Sequence, residues 1–409
     1  MVRQQSKTSG ADHNVMRELN RSLVLDLLKD RSPISRAAIA KATTLAKPTV
    51  SAIVDELLRD GLVSEIGIGQ TTTGGGRPPI LLAFDARSQF VVGVQIGVRR
   101  TTVVVADARG EEVGRAVAPT PDGKPADQVK KVAAMVKQAL RDAAAPAERL
   151  AAVGVCVPGL VDVASGVCLL APNLGWRDVS VRDPFAKALG GAPVFVHNTA
   201  QAAAVAENIE GAGEGASDMV MLYIGSGIGT GILTDGRLFH GTGGIVGELG
   251  HCYVPGATDR CNCGKIGCLE TVASGPSIAR WAQKQAKTER SLLSKKRTVT
   301  PEDVAAAAAE GDGLALKVLA DAGRGLGIAL SWVINLVNPE VVVVGGGLAE
   351  AGEPLLEPLR RTATELSLPQ SAAQVEIRSS VLGQSAEVRG AVLLALQYSQ
   401  TYYRVIFQG

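Results

Sequence analysis

The chain has 409 residues, of which 46% are hydrophobic and 20% charged, and its formal net charge is +2. This composition is typical of a soluble globular protein, and the length indicates two or three domains. No apolar run reaches the roughly 18 residues needed to span a membrane, and the N-terminus lacks the apolar segment of a signal peptide. We therefore expect a cytoplasmic protein without a membrane partner.

The first eighty residues show the pattern of three helices. Residues 19–28 predict an amphipathic first helix. Its apolar residues at helical spacing are Leu19, Leu23, Val24, Leu27 and Leu28. Ser35 is a good N-cap for a second helix over residues 36–42, and Pro48 suits the first turn of a third helix, Lys47–Arg59. The apolar residues that this third helix should bury are Val50, Ile53, Val54 and Leu57.

Two helices joined by a short turn match a helix-turn-helix, in which the second helix contacts DNA. The polar residues at the start of that helix, Lys47, Thr49 and Ser51, are candidates for contacts with bases and phosphates. Two strands predicted within residues 62–84 enclose a Gly-rich wing tip with Arg77, which can enter a narrow minor groove. The alternatives are a protein-interaction module for the helices and a flexible linker for the Gly-rich segment.

From residue 90 onward, the pattern changes to strands that alternate with helices, as in α/β proteins. Continuous apolar runs predict buried strands, and two of these runs lead directly into the Gly-rich segments 225–231 and 345–347. Gly-rich turns at the carboxyl ends of strands are typical of crevices that bind anions or nucleotides. Each segment is equally compatible with an ordinary tight turn between a strand and a helix.

One imidazole and three thiols lie within 18 residues, in the order His251, Cys261, Cys263 and Cys268. This ligand set fits a closed tetrahedral Zn²⁺ site, and the glycines between the thiols allow the backbone to turn tightly. Three of the six cysteines of the chain fall in one eight-residue stretch, which argues against scattered buried thiols. We therefore predict structural zinc as the cofactor.

The residues around this cluster carry a family resemblance. Residues 247–251, Gly-Glu-Leu-Gly-His, followed by residues 261–270, Cys-x-Cys-Gly-x-x-Gly-Cys-x-Glu, resemble the signature of the ROK family (repressors, open reading frames and kinases). Residues 157–162 and 172–176 also look like family segments. The resemblance covers essentially the whole chain and points to the repressor branch, which includes xylose and N-acetylglucosamine repressors.

The resemblance implies an α/β fold class, with an N-terminal winged helix-turn-helix joined to an actin-like, two-lobed sugar-kinase fold. We expect the DNA-binding domain at residues 1–84, the first α/β lobe at residues 85–196 and the second lobe, with the zinc loop, at residues 197–386. A final helix over residues 387–400 should cross back to the first lobe.

By similarity to the family, the sugar site falls on six residues: Gly159, Asn198, Thr199, Glu248, His251 and Glu270. Carboxylates suit a pyranose because its neighbouring hydroxyls offer paired donors. His251 would bind zinc through one ring nitrogen and a sugar hydroxyl through the other. The alternative for the two glutamates is a role as solvated surface carboxylates.

Two departures from the kinases of the family bear on activity. Those kinases carry an Asn-Asp pair whose Asp is the general base, whereas the matching pair here is Asn198-Thr199. A Thr hydroxyl has no ionisable form near neutral pH and cannot take the proton of a sugar hydroxyl. The first phosphate motif of the kinases, Asp-x-Gly-Gly-Thr, corresponds to residues 95–99, where the neutral Gln95 is a poor ligand for Mg²⁺. The vestigial nucleotide loops are marked by Gly227, Gly229 and Gly346.

These features predict a sugar-responsive transcriptional regulator of the repressor type, which binds a sugar without phosphorylating it and is not an enzyme. Its partners would be palindromic operator DNA and a small sugar effector, and the chain would form a homodimer or homotetramer. Two alternatives stay open. One is an ATP-dependent sugar kinase with an attached DNA-binding domain, and the other is a protein-docking module with a vestigial cleft.

Overall fold

The computed structural model describes residues 9–69 and 78–399. Arg77 and the predicted wing tip lie outside these residues. Within the described part of the chain, no helix combines the length and the apolar character that a membrane crossing requires.

The N-terminal part forms a small winged-helix unit. Its elements are α1 (Ser9–Arg31), β1 (Ile34–Ser35), α2 (Arg36–Thr43), α3 (Lys47–Arg59), β2 (Val63–Ile68) and β3 (Ile80–Phe84). β3 lies between β1 and β2 in an antiparallel sheet. The side chain of Ser35 caps α2 by accepting a hydrogen bond from the backbone N of Ala38 at 3.2 Å, as its N-cap character predicts. The four apolar residues predicted for α3 are buried in the shared core.

The first helix differs from its prediction. It begins earlier, and its buried side is formed by Val24 and Leu28, which are fully buried. Leu19 and Leu23, two of the apolar residues at helical spacing, are 36% and 47% exposed. Adjacent positions on an α-helix point about 100° apart, and the helix turns the side of Val24 rather than that of Leu23 toward α3.

The next ten elements form the first lobe. They are β4 (Phe90–Ile96), β5 (Arg100–Asp107), β6 (Glu112–Pro119), α4 (Pro125–Asp142), β7 (Leu150–Val157), β8 (Leu160–Asp162), β9 (Val167–Ala171), β10 (Trp176–Ser180), α5 (Arg182–Ala188) and β11 (Val194–Asn198). The main sheet has the order β11-β7-β4-β5-β6, in which β4, β5 and β6 are antiparallel and β7 and β11 run parallel to β4. A small sheet, β10-β9-β8, follows β7.

The remaining elements are built around a second five-stranded sheet. They are α6 (Thr199–Glu210), β12 (Met219–Ile224), β13 (Ile228–Thr234), β14 (Arg237–Leu238), α7 (Glu270–Ala273), α8 (Gly275–Gln285), α9 (Pro301–Ala309), α10 (Gly313–Val337), β15 (Val341–Gly345), α11 (Glu353–Leu366), α12 (Pro369–Ala372), β16 (Glu376–Ser379) and α13 (Ala386–Ser399). The sheet order is β14-β13-β12-β15-β16. Its three antiparallel and two further parallel strands repeat the topology of the first sheet. This repetition produces the predicted two-lobed α/β architecture.

The last helix packs on the first sheet. A Cβ atom on Gly154 of β7 would lie 2.0 Å from the carbonyl oxygen of Ala391 in α13. Only a glycine permits this approach of helix to strand. The domain boundaries at residues 84, 196 and 386 stay predictions.

The Gly-rich segment 225–231 is not a single loop, and that prediction was wrong. Residues 225–227 form the turn between the antiparallel strands β12 and β13, and Gly229 and Gly231 lie within β13. A Cβ atom on Gly231 would lie 2.5 Å from the carbonyl oxygen of Ala200, so this glycine serves the packing of α6 on the sheet.

Candidate functional site

A cleft of about 1380 Å³ opens between the two sheets and their helices. It brings together all six residues predicted for the sugar site, which are Gly159, Asn198, Thr199, Glu248, His251 and Glu270. Gly159 follows β7 of the first sheet, and Asn198 is the last residue of β11. Glu248, His251 and Glu270 lie in the part of the chain that follows β14 of the second sheet. A ligand in this cleft therefore contacts both lobes.

The first side of the site is fixed by Asn198, the last residue of β11 and the N-cap of α6. Its Nδ2 donates a hydrogen bond to the carbonyl oxygen of Gly159 at 2.7 Å, and its Oδ1 accepts one from the backbone N of Ala200 at 2.7 Å. Thr199 is the first residue of α6 and is only 8% exposed. The N-terminus of α6 thus lies at the cleft wall.

The second side of the site carries two carboxylates. Glu248 Oε2 lies 3.9 Å from His251 Nε2, and Glu270 accepts a hydrogen bond from the backbone N of Ile228 at 3.2 Å. A Cβ atom on Gly227 would lie 2.6 Å from Glu270 Oε2, so a glycine at this turn leaves room for the carboxylate. Burial raises the pKa of Glu248 to about 7, and the charge of Glu270 adds to this shift. Burial also raises the pKa of Glu270, against the opposing effects of His251 and of the bond from Ile228.

The predicted metal ligands form one cluster. The ligand atoms of His251, Cys261, Cys263 and Cys268 all lie within 4.8 Å of one another. Cys261 Sγ is 3.7 Å from His251 Nδ1, and Cys263 Sγ is 3.7 Å from Cys268 Sγ. Ligands bound to Zn²⁺ at about 2.3 Å in a tetrahedron would be about 3.8 Å apart, so the cluster fits this ion. His251 offers Nδ1 to the cluster and Nε2 to the cleft.

The candidate DNA-binding surface lies at the start of α3. Lys47 is exposed there, and Thr49 and Ser51 are half-buried. The N-cap residue Ala46 supplies no side-chain hydrogen bond to the helix. The backbone N–H groups of Lys47 and Thr49 therefore remain available to a phosphate, whereas Pro48 between them has none.

The predicted nucleotide loops border the same cleft. Gln95, Gly227 and Gly229 line it, together with Gly347. Gly346 instead packs against the end of the neighbouring strand β12, where a Cβ atom would lie 2.4 Å from the carbonyl oxygen of Ile224. Gly346 therefore shapes the turn rather than the cleft wall.

Three residues of the cleft, Arg100, Tyr223 and Glu387, were not predicted from the sequence. Glu387 is 5% exposed, accepts a hydrogen bond from the hydroxyl of Tyr223 and lies within electrostatic reach of Arg100. Burial raises the pKa of Glu387 to about 7, against the opposing effects of Tyr223 and Arg100. The one acidic residue of the mostly apolar helix α13 was the available signal.

Comparison with known proteins places the chain in a family. Residues 91–398 match the sequence model of the ROK family. The chain belongs to the ROK family. The xylose repressor of Caldicellulosiruptor bescii is 31% identical over 390 residues, which cover 94% of this chain and 97% of that protein.

Two solved ROK structures are informative. A ROK family transcriptional regulator, a homolog of the Escherichia coli MLC protein, is 30% identical, with a TM-score of 0.81 over 97% of this chain and all of that one. A ROK glucokinase from Streptomyces griseus, in complex with glucose and AMPPNP, is 29% identical, with a TM-score of 0.66 over 75% of this chain and 99% of its own. The regulators therefore match this ROK protein over nearly its full length, whereas the kinase matches only three quarters of it.

Proposed function

We propose that this ROK protein is a sugar-responsive, DNA-binding transcriptional regulator of the repressor type. One observation carries the proposal. A cleft with the sugar-binding groups of the family, but with Thr199 in place of the general base of the kinases, is joined in one chain to a winged helix. Full-length similarity to a xylose repressor and to an MLC homolog supports it.

The proposed sugar contacts come from both walls of the cleft. Glu248 and Glu270 would accept hydrogen bonds from neighbouring hydroxyls, and His251 Nε2 would contact a further hydroxyl. Asn198 and Gly159 complete the opposite wall. Both glutamates are half-buried, so water competes less for their hydrogen bonds than at an open surface.

Zinc would have a structural role in this proposal. The four ligands would hold the segment between His251 and Cys268, and with it Glu270 two residues further on. Bound zinc supplies a fixed charge that orients the His251 ring and keeps Nε2 directed toward the cleft. Sugar affinity should therefore depend on an intact metal cluster.

By similarity to the kinases of the family, two groups that serve phosphoryl transfer are replaced in this cleft. A kinase needs a base beside the sugar hydroxyl and a carboxylate near the metal-bound phosphates. Thr199 and Gln95 stand at those positions by similarity, and neither ionises to an anion near neutral pH. The Glu387 carboxyl, when ionised, would also repel a phosphate brought to that end of the cleft.

DNA binding is assigned to α3. Lys47 would pair with a phosphate, while Thr49 and Ser51 would approach base edges in the major groove. Two copies related by a two-fold axis would read a palindromic operator, one half-site each. Sugar binding would close the cleft, and operator affinity would change because the closed and open states hold the winged helices differently.

Two assays test the proposal against an ATP-dependent sugar kinase. A coupled assay with ATP and a hexose panel should give no turnover for the wild type, with the Streptomyces griseus glucokinase as a positive control. Calorimetry with the same sugars should nevertheless show binding, which also excludes a pure docking module. Phosphorylation at an ordinary enzymatic rate that Thr199→Asp does not raise would contradict the argument from the missing base.

A further inference from the structure

Helix α6 connects the sugar cleft with a distant ion pair. Its N-terminus carries Asn198 and Thr199 at the cleft wall, and its last residue, Glu210, lies at the opposite end. A helix of 12 residues spans about 18 Å. Any displacement of α6 by a bound sugar therefore reaches Glu210 as a rigid movement.

Helices α6 and α13 meet at the junction of the two lobes. α6 packs on β13 through Gly231, and α13 packs on β7 through Gly154. Between the helices, a Cβ atom on Gly390 would lie 1.8 Å from the carbonyl oxygen of Ala202. The two backbones touch here without intervening side chains, so this crossing is the natural pivot for a rotation of one lobe against the other.

Arg389 lies next to that pivot and joins three elements. Its Nε donates to Glu210 Oε2 at 2.5 Å, and its Nη2 donates to the second carboxylate oxygen of Glu210. Its Nη1 donates to the backbone carbonyl oxygen of Gly110, in the turn between β5 and β6. The planar guanidinium therefore fixes the end of α6 relative to this turn.

The β5–β6 turn is also one of the contacts between the first lobe and the winged helix, beside the hydrogen bond from Arg149 to the carbonyl oxygen of Arg87. The backbone N of Ala108 donates to the carbonyl oxygen of Ala86 at 2.9 Å, and Ala108 is buried in the winged-helix core. The guanidinium of Arg109 lies 5.5 Å from the centre of the Phe84 ring. Asp107 stiffens the turn, because its carboxylate accepts hydrogen bonds from two backbone N–H groups of the turn.

We propose that Arg389 is a positioning residue that couples the sugar cleft to the DNA-binding unit. The inference rests on the proposed function. Rotation about the crossing of α6 and α13 moves Glu210, and Arg389 transfers this movement to Gly110 and the turn that supports the winged helix. Arg389 contacts neither the proposed sugar site nor the DNA-binding surface, so its effect is on the linkage between them.

The test measures that linkage directly. Operator DNA selected by the full chain from a random-sequence pool is titrated with and without the most stabilising of D-xylose, D-glucose and N-acetylglucosamine. Wild type should show a change in operator Kd of fivefold or more, as is typical of allosteric coupling. Arg389→Met should reduce this change to less than about twofold while leaving the sugar Kd and the melting temperature close to wild type.

Two further variants separate the ion pair from general packing. Glu210→Gln should reduce the coupling as Arg389→Met does, and the double variant should be no worse than either single one. Arg360→Met, which removes an exposed ion pair with Glu353 on α11, is the matched control and should keep full coupling. Full coupling in Arg389→Met, or additive losses in the double variant, would overturn the inference about Arg389 and leave the proposed function intact. A wild type whose operator affinity ignores every sugar would overturn the proposed function and this inference with it.

Discussion

Two substitutions of Glu270 test the sugar site, because Glu270→Gln should weaken sugar binding alone, whereas Glu270→Ala should also lower folding stability. Glu270→Gln keeps an acceptor for the backbone N of Ile228 but removes the charge. A hydrogen bond to a charged group contributes about 1.5–3 kcal/mol and a neutral one about 0.5–1.5 kcal/mol. The loss of about 1–1.5 kcal/mol corresponds to a sugar Kd roughly five- to twelvefold weaker, with stability little changed.

Glu270→Ala removes the acceptor as well. The enclosed N–H of Ile228, a residue only 5% exposed, then lacks a partner, which costs about 1–3 kcal/mol of folding free energy. We expect a lower melting temperature and a sugar Kd weakened by about two orders of magnitude, because the whole charged hydrogen bond is lost. Calorimetry and thermal denaturation measure the two effects, and Glu302→Gln, at the other end of the cleft, is the control. Wild-type sugar affinity in both variants would refute the assignment of Glu270.

Three further predictions concern zinc, pH and DNA. Cys263→Ser should lower zinc content and sugar affinity together, measured by metal analysis and calorimetry, and zinc-free protein with normal sugar binding would contradict the linkage. Because the pKa of Glu387 is raised to about 7, its contribution to stability is greatest below about pH 4.5 and falls as pH rises through 7. Glu387→Gln, which keeps an acceptor for Tyr223, should therefore gain melting temperature over wild type at pH 8 but not at pH 5, and a pH-independent difference would argue against this. Lys47→Ala should reduce the salt dependence of operator binding by about one unit in the log–log slope, whereas Lys130→Ala on α4 should not.

Much of the fold follows from local signals in the sequence. Strands β3, β7, β11 and β12 coincide with short apolar runs between clear turn signals, as the pattern predicts for buried strands. The edge strand β6 escaped prediction, since its exposed face carries polar residues and its alternation is weak. The hairpin at Gly225 was misread because the glycines of β13 serve the packing of α6, a tertiary contact that local sequence does not encode.

The candidate site likewise contains some residues that the local sequence identifies and others that it does not. The metal ligands were identifiable because they are close in sequence and have a characteristic chemistry. Glu387 and Tyr223 are 164 positions apart, and only the packing of α13 on the first sheet brings them together. Arg389 and Gly110 are further apart still, at 279 positions, so the proposed connection to the winged helix has no local signature.

The division of the cleft between two lobes bears on why a kinase-like architecture suits a sensor. A ligand shifts a conformational equilibrium only by its difference in affinity for the two states. Asn198 and Gly159 belong to one wall, and Glu248 and Glu270 to the other, so under the proposed function a sugar would make its full set of hydrogen bonds only when the walls are close. Charged hydrogen bonds that form in the closed state alone contribute about 1.5–3 kcal/mol each. Two or three of them supply the roughly 5.5 kcal/mol that moves a two-state equilibrium from 1:99 to 99:1.

In a kinase, turnover removes the sugar and ends the closed state. With Thr199 in place of the base, the sugar would stay bound as long as its concentration is high, and operator affinity could follow that concentration.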